Sequence, residues 1–284
     1  MKILLHLLSG LVRSIRCWKW IFVIWIWNLL LVTLLTFPLK SAVNISLGSS
    51  MIRERLTEGY FLDVLSNSGF DLKTILSFFF SGLFLVLFAG VILNIFFAGG
   101  LFNTLREDGM RRKAADFLGS AGANFWSFLI ISVIVFFILF FLSGIIIGIP
   151  SLIALSSKSD FVFTMTAKIS AILLLVLWPL VILIADYSRI WQVLSGEKNG
   201  LRAIVKGFSL LFKNLLRSYL SVVPVLAIQL LFTLIAIRLI LYARPAGSGG
   251  IFLLYIIGQA FAIIKIFLRS WRYGTVTDLY EASR

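Results

Sequence analysis

Residues 201–241 read LRAIVKGFSLLFKNLLRSYLSVVPVLAIQLLFTLIAIRLIL, and this stretch decides the fold. In its first half Arg202, Lys206, Ser209, Lys213 and Arg217 recur every three or four residues, which makes one polar stripe along a helix. Ile204, Val205, Phe208, Leu211, Phe212 and Leu215 cover the other side. The second half, Leu220 to Leu241, is apolar apart from Ser221, Gln229, Thr233 and Arg238. It is long enough to span a bilayer, which takes about 17–25 mainly apolar residues. A basic amphipathic helix therefore leads straight into a membrane span.

The same construction recurs in the chain. At the N-terminus Lys2, His6, Ser9, Arg13 and Arg16 form the polar stripe, with Leu4, Leu5, Leu8, Leu11, Val12 and Ile15 opposite. The two stretches superpose at an offset of 200 residues, without a gap, as far as Lys213. A weaker copy, Arg111 to Asn124, aligns with the third at an offset of 91 and pairs Phe117 with Phe208. Gly119 and Gly122 lower its helix propensity. Each copy leads into aromatics: Trp18 and Trp20, Phe125 and Trp126, or Tyr219.

Six segments qualify as spans: Trp20–Leu39, Ile75–Phe97, Phe125–Ile149, Ile169–Ala185, Leu220–Leu241 and Ile251–Leu268. In lipid each must satisfy its own backbone hydrogen bonds, so each is a helix. A β-barrel would alternate over about 10 residues, whereas Phe78-Phe79-Phe80 and Ile130-Ile131 run continuously. The chain reads as an all-α polytopic membrane protein. Six transmembrane helices form three hairpins, each preceded by an amphipathic interfacial helix. The single domain divides into repeat units of about 1–100, 101–195 and 196–284 with pseudo-threefold packing. Pro179 in the fourth span removes a ladder hydrogen bond and predicts a kink.

Composition agrees with this class. The chain is 60% hydrophobic and 13% charged, against about 45–50% and 25% in soluble domains. A net charge of +14 would suggest nucleic acid in a soluble protein, but here it follows topology, and no nucleic-acid partner is expected. Of the 26 Lys and Arg, eight fall in segments 40–74, 150–168 and 238–244, leaving 18 on the opposite side. The positive-inside rule then places both termini in the cytoplasm. The N-terminus is not a signal peptide, since its apolar core exceeds the usual ~7–15 residues and no cleavage site follows closely.

Chemistry-bearing residues are few. His6 and Cys17 are the sole histidine and cysteine. This argues against a His/Cys metal centre, a disulfide framework, and any histidine-based triad not built on His6. No Walker-type loop is present. No enzymatic activity and no cofactor are expected. Asp186, at the inner end of span four, needs a cationic partner at that depth. Arg189 is the local candidate, and Lys265 and Arg269 are the tertiary ones. Asn28, Asn94, Gln229 and Gln259 are expected to hydrogen-bond between helices. Gly144 and Gly148 have the spacing of a close helix contact. The outward segment carries an amphipathic stretch, Arg55 to Leu65, and a glycosylation triplet, Asn44-Ile45-Ser46.

The basic stripes are expected to meet anionic headgroups through Lys2, Arg13, Arg16, Arg202, Lys206, Lys213 and Arg217, each contributing on the order of 1 kcal/mol. Two other roles for these helices are a cover over the cytoplasmic ends of the bundle and a docking point for a protein partner. The favoured function is non-catalytic: an accessory or scaffold component of a membrane complex, or an organiser of lipid at the cytoplasmic leaflet. A transporter or lipid-moving permease is the alternative.

One resemblance rests on the order of short motifs: Gly99-Gly100-Leu101 with Arg106, Phe117, Asn124-Phe125-Trp126-Ser127-Phe128-Leu129, Asp186-Tyr187-Ser188-Arg189 and the basic helix Arg202–Arg217. In this layout the chain resembles a broad group of uncharacterised six-span bacterial membrane proteins. These are similar to the membrane domain found with some glycerophosphodiester phosphodiesterases. The resemblance implies a bacterial inner membrane and no particular activity. The phosphodiesterase domain itself is absent from this sequence.

Overall fold

The computed structural model describes residues 2–47, 69–106, 113–157, 159–243 and 248–283. These residues form helices and no strand: α1 (Lys2–Arg16), α2 (Trp18–Leu47), α3 (Gly69–Thr104), α4 (Ala114–Ser143), α5 (Ile149–Ser156), α6 (Asp160–Ser195), α7 (Gly200–Lys213), α8 (Leu215–Tyr242) and α9 (Ser248–Glu281). A π-helical turn, Gly144–Gly148, joins α4 to α5. Among the described residues, five helices are long and apolar enough to cross a membrane, and a sixth is reached when α1 and the start of α2 are counted as one broken span. The protein is an all-α, multi-pass membrane protein. Stretch 55–65 lies outside the described residues, as do Arg111, Arg112 and the side chains of Lys2, Asn44 and Ser46.

Local chemistry sets the helix ends. Asn199 caps α7, its side chain accepting from the backbone N–H of Leu201 at 3.1 Å and of Arg202 at 3.3 Å. Gly196 closes α6 at φ 71°, its N–H on the Gln192 carbonyl at 3.0 Å. The Lys113 N–H donates to Asp116 at the start of α4, 3.1 Å away. At Cys17 the chain breaks and turns by 64° between α1 and α2. The weakest copy forms no separate helix: α4 runs unbroken from Ala114 through its span. Residues 114–124 carry one charge, Asp116, and no proline, so the helix runs through them.

Two helices run well past their expected spans. α6 has 36 residues and α9 has 34, so at ~1.5 Å per residue both are longer than a hydrocarbon core of about 30 Å. α6 continues through Pro179. One turn earlier, the Val176 carbonyl accepts from the Tyr219 hydroxyl at 3.1 Å. Gly144 and Gly148 do not mark a close helix contact. A Cβ on either would meet nothing within 4 Å, because both lie in the π-helical turn with open space around them.

The chain divides into two compact units. The first contains residues 1–19, 95–231 and 267–284. Its core is fully buried Phe102, Phe117, Phe128, Ile131, Leu183, Ile190, Leu211 and Val276. Phe102 stacks on Tyr273 with centroids 4.4 Å apart. The second contains residues 20–94 and 232–266. There the Trp25 indole donates to Gln259 at 2.9 Å, and Phe232 meets Phe261 edge-on at 5.1 Å. Gln259 thus bonds between helices as expected, while Asn28 donates to a carbonyl of its own helix. Most large apolar side chains remain exposed, including Phe80, Phe84, Phe136 and Phe140. Rows of this size need lipid around them.

Three crossings in the first unit depend on small residues. A Cβ on Gly10 would lie 2.6 Å from the Thr275 N atom, so α1 packs backbone to backbone on α9. A Cβ on Gly207 would lie 2.7 Å from the Ser188 N atom, where α7 crosses α6. A Cβ on Gly99 would lie 3.2 Å from the Ala121 Cα, where α3 meets α4.

Candidate functional site

The Gly10 crossing brings the polar stripe of α1 onto the end of α9. The His6 Nδ1 lies 2.5 Å from one oxygen of Asp278, and Ser9 donates to the other at 2.6 Å. Arg13 forks between Asp278 at 2.8 Å and Glu281 at 2.7 Å, and donates to the Leu105 carbonyl at 3.1 Å. Arg217, from α8, contacts the other His6 nitrogen. The Trp271 indole donates to the Leu7 carbonyl at 2.9 Å. This cluster binds α1, α8 and α9 together.

The arrangement corrects the lipid-contact reading at two positions. Arg13 does not reach headgroups: its side chain is 10% exposed and satisfied by two carboxylates. Arg217 is half-buried against His6. The physical reason is register. At the offset of 200 Arg13 pairs with Lys213, yet Arg13 is buried and Lys213 is exposed. The small-residue crossings instead match Gly10 with Gly207, three residues short of that offset. A three-residue slip rotates the stripe by about 60° on a 3.6-residue helix. His6 and Arg13 therefore face protein in α1, whereas Arg202, Lys206 and Lys213 face outward in α7.

On α7 the outward cations are Arg202, Lys206 and Lys213, all exposed. Beside them Leu201, Val205, Phe208 and Phe212 are half to two-thirds exposed, while Gly200, Ala203, Gly207 and Leu211 are buried. Trp191, Glu197, Leu201, Arg202, Val205 and Lys206 line an open groove of about 450 Å³. Glu197 lies 4.0 Å from Arg202. Arg16 is exposed on α1, near the outward Leu8, Val12 and Ile15.

A second polar cluster joins α6 to an earlier part of α9. Asp186 is fully buried. Its Oδ1 lies 3.3 Å from Arg189, and its Oδ2 lies 2.8 Å from Nε of Arg272. The tertiary cation on Asp186 is thus Arg272, rather than Lys265, which is exposed and belongs to the second unit. Arg269 is largely buried one turn before Arg272, close enough to Arg189 and Arg272 to feel both charges. Arg189 also donates to Ser132 at 2.9 Å and sits over the Phe128 ring. Tyr187 and Ser218 share a hydrogen bond of 2.7 Å that pins α6 to α8.

Sequence reasoning missed Arg272, Gln192, Asp278 and Glu281. The signal for the last two is legible: carboxylates three apart at the end of a chain whose other ends are basic. Among the described residues, no group of three or more His, Cys, Asp or Glu side chains is placed to hold a metal ion. Ser9, His6 and Asp278 do meet, but not as a catalytic triad. Ser9 donates to the carboxylate, and the far nitrogen of His6 faces Arg217. The chain matches no protein-family model, no curated protein and no solved structure.

Proposed function

We propose that the protein is a non-catalytic organiser of anionic lipid at the cytoplasmic leaflet of a bacterial inner membrane. The observation that carries this reading is the α7 surface. Exposed Arg202, Lys206 and Lys213 run alongside exposed Leu201, Val205, Phe208 and Phe212. A helix of this kind lies with its apolar side in the acyl boundary and its cations at the headgroups. The apolar side of α1 is exposed in the same way, and the 64° turn at Cys17 suits a helix that leaves a span for the interface. The charge split along the chain supports cytoplasmic termini. The order of Ser9, Asp278 and His6 supports a structural role for the one histidine.

The test is reconstitution of the full chain in nanodiscs containing a mixture of phosphatidylglycerol and phosphatidylcholine. Mass spectrometry of the lipid annulus is expected to show phosphatidylglycerol enriched. In the variant combining Arg202→Gln, Lys206→Gln and Lys213→Gln, that enrichment is expected to fall by most of its value. Equal enrichment in the two proteins contradicts the reading.

A further inference from the structure

The groove of about 450 Å³ at the corner between α6 and α7 is lined by both signs of charge: Arg202 and Lys206, and the carboxylate of Glu197. Leu201, Val205 and Trp191 supply its apolar lining. A second recess shares Glu197, Leu201 and Arg202 with it and reaches Ile130 and Lys198. For a purely anionic lipid the carboxylate is a liability, because like charges repel. A headgroup that carries a cation beside its phosphate meets no such penalty.

Glu197 is not used up by its neighbour. It lies 4.0 Å from Arg202, and the two side chains are 46% and 73% exposed. An exposed pair at that distance contributes little, so both groups remain available to a ligand. The backbone that carries them is fixed. Asn199 caps α7 through the N–H groups of Leu201 and Arg202. The Ser127 hydroxyl donates to the Lys198 carbonyl, and the Glu197 N–H donates to the Ser195 hydroxyl at 3.3 Å. A Cβ on Gly200 would lie 2.9 Å from the Ser127 carbonyl oxygen, so the corner sits directly on α4. The fold itself forms the groove, which leaves little ordering to be done on binding.

We propose that this groove seats a phospholipid whose headgroup bears a primary amine, phosphatidylethanolamine. Arg202 and Lys206 take the phosphate, and Glu197 accepts from the ammonium. Leu201, Val205 and Trp191 meet the first part of the acyl chains. Charge-assisted bonds from guanidinium and ammonium to phosphate are the strong kind. A primary ammonium has N–H donors to give to Glu197, and its short link sets it beside its phosphate, as Glu197 stands beside Arg202. The trimethylated amine of phosphatidylcholine has no N–H, and phosphatidylglycerol has no cation. Trp191 near the end of a spanning helix suits the interfacial depth of a headgroup. The inference rests on the reading that α7 lies at the headgroups, and adds which headgroup its groove selects.

The experiment uses the full chain in nanodiscs of equal phosphatidylethanolamine and phosphatidylcholine with matched acyl chains. Both lipids are zwitterionic, so general attraction to the cations cancels. Native mass spectrometry of the released protein is expected to show one retained phosphatidylethanolamine per chain, favoured over phosphatidylcholine about fivefold, the scale of a single hydrogen bond to a charged group. Glu197→Gln is expected to bring the two lipids near parity with an unchanged Tm, and not to lower the phosphatidylglycerol enrichment measured in the mixture with phosphatidylcholine. Combining Arg202→Gln with Lys206→Gln is expected to remove the retained lipid. Parity in the wild type, or a preference that Glu197→Gln leaves intact, overturns the inference. If phosphatidylglycerol is still enriched in that case, the leaflet reading survives it, whereas loss of both preferences overturns both.

Discussion

The cluster that joins α1, α8 and α9 sets Arg13 against Asp278 and Glu281, with Arg217 on His6. The cluster at α6 and the earlier part of α9 sets Arg189 and Arg272 against Asp186. In the first, each oxygen of Asp278 has a hydrogen-bond partner and the two carboxylates keep 16% and 24% exposure. In the second, Asp186 is wholly buried between its two arginines. Low dielectric makes both consequential, because an unmade bond there costs more than a made one contributes.

The comparison breaks most visibly at the carboxylates. Asp186→Asn removes the counter-charge from two mostly buried arginines, and is expected to destabilise by about 3–5 kcal/mol. The loss is read as a fall in Tm in detergent. Asp278→Asn removes the acceptor of His6, Ser9 and Arg13. At 16% exposure it is expected to destabilise by about 2–3 kcal/mol, the scale of charged hydrogen bonds. The same Tm comparison reads it.

The crossings sharpen the contrast at smaller scale. Gly10→Ala drives a Cβ to 2.6 Å from the Thr275 backbone and is expected to destabilise by roughly 1–3 kcal/mol. Gly144→Ala meets open space and is expected to be neutral or to stabilise by up to about 1 kcal/mol. A matched thermal unfolding pair separates them. The smallest effect is expected at Gln192→Leu. It removes two unpartnered buried polar atoms and is expected to raise stability by up to about 1 kcal/mol.

Much of the fold was legible in the sequence, because lipid imposes its rule on every residue of a span. The apolar runs located the crossing helices and excluded strands. α1 and α7 were legible as amphipathic helices from spacing alone. Which way each stripe faces was not legible, since that depends on where a glycine lets two backbones touch. Gly10 and Gly207 are three residues out of step with the charge pattern, and only the packing shows it. For the same reason Arg13 looked like a lipid contact, although it closes on Asp278 and Glu281. Asp186 stood out because a carboxylate at that depth needs a cation. Local spacing indicated Arg189. The second cation depended on how far α9 continues past its apolar run, and the helix extends beyond Lys265 to present Arg272. Gln192 gave no signal, because a glutamine near a helix end is ordinary until its burial is known.

The central claim is that two ion-pair clusters, at Asp186 and at Asp278, fasten the helices of the first unit. The most direct measurement is the Tm of the wild type, Asp186→Asn and Asp278→Asn under the same detergent conditions. The account predicts a lower Tm in both variants, with the larger loss at the wholly buried Asp186. An unchanged Tm in either variant would contradict it.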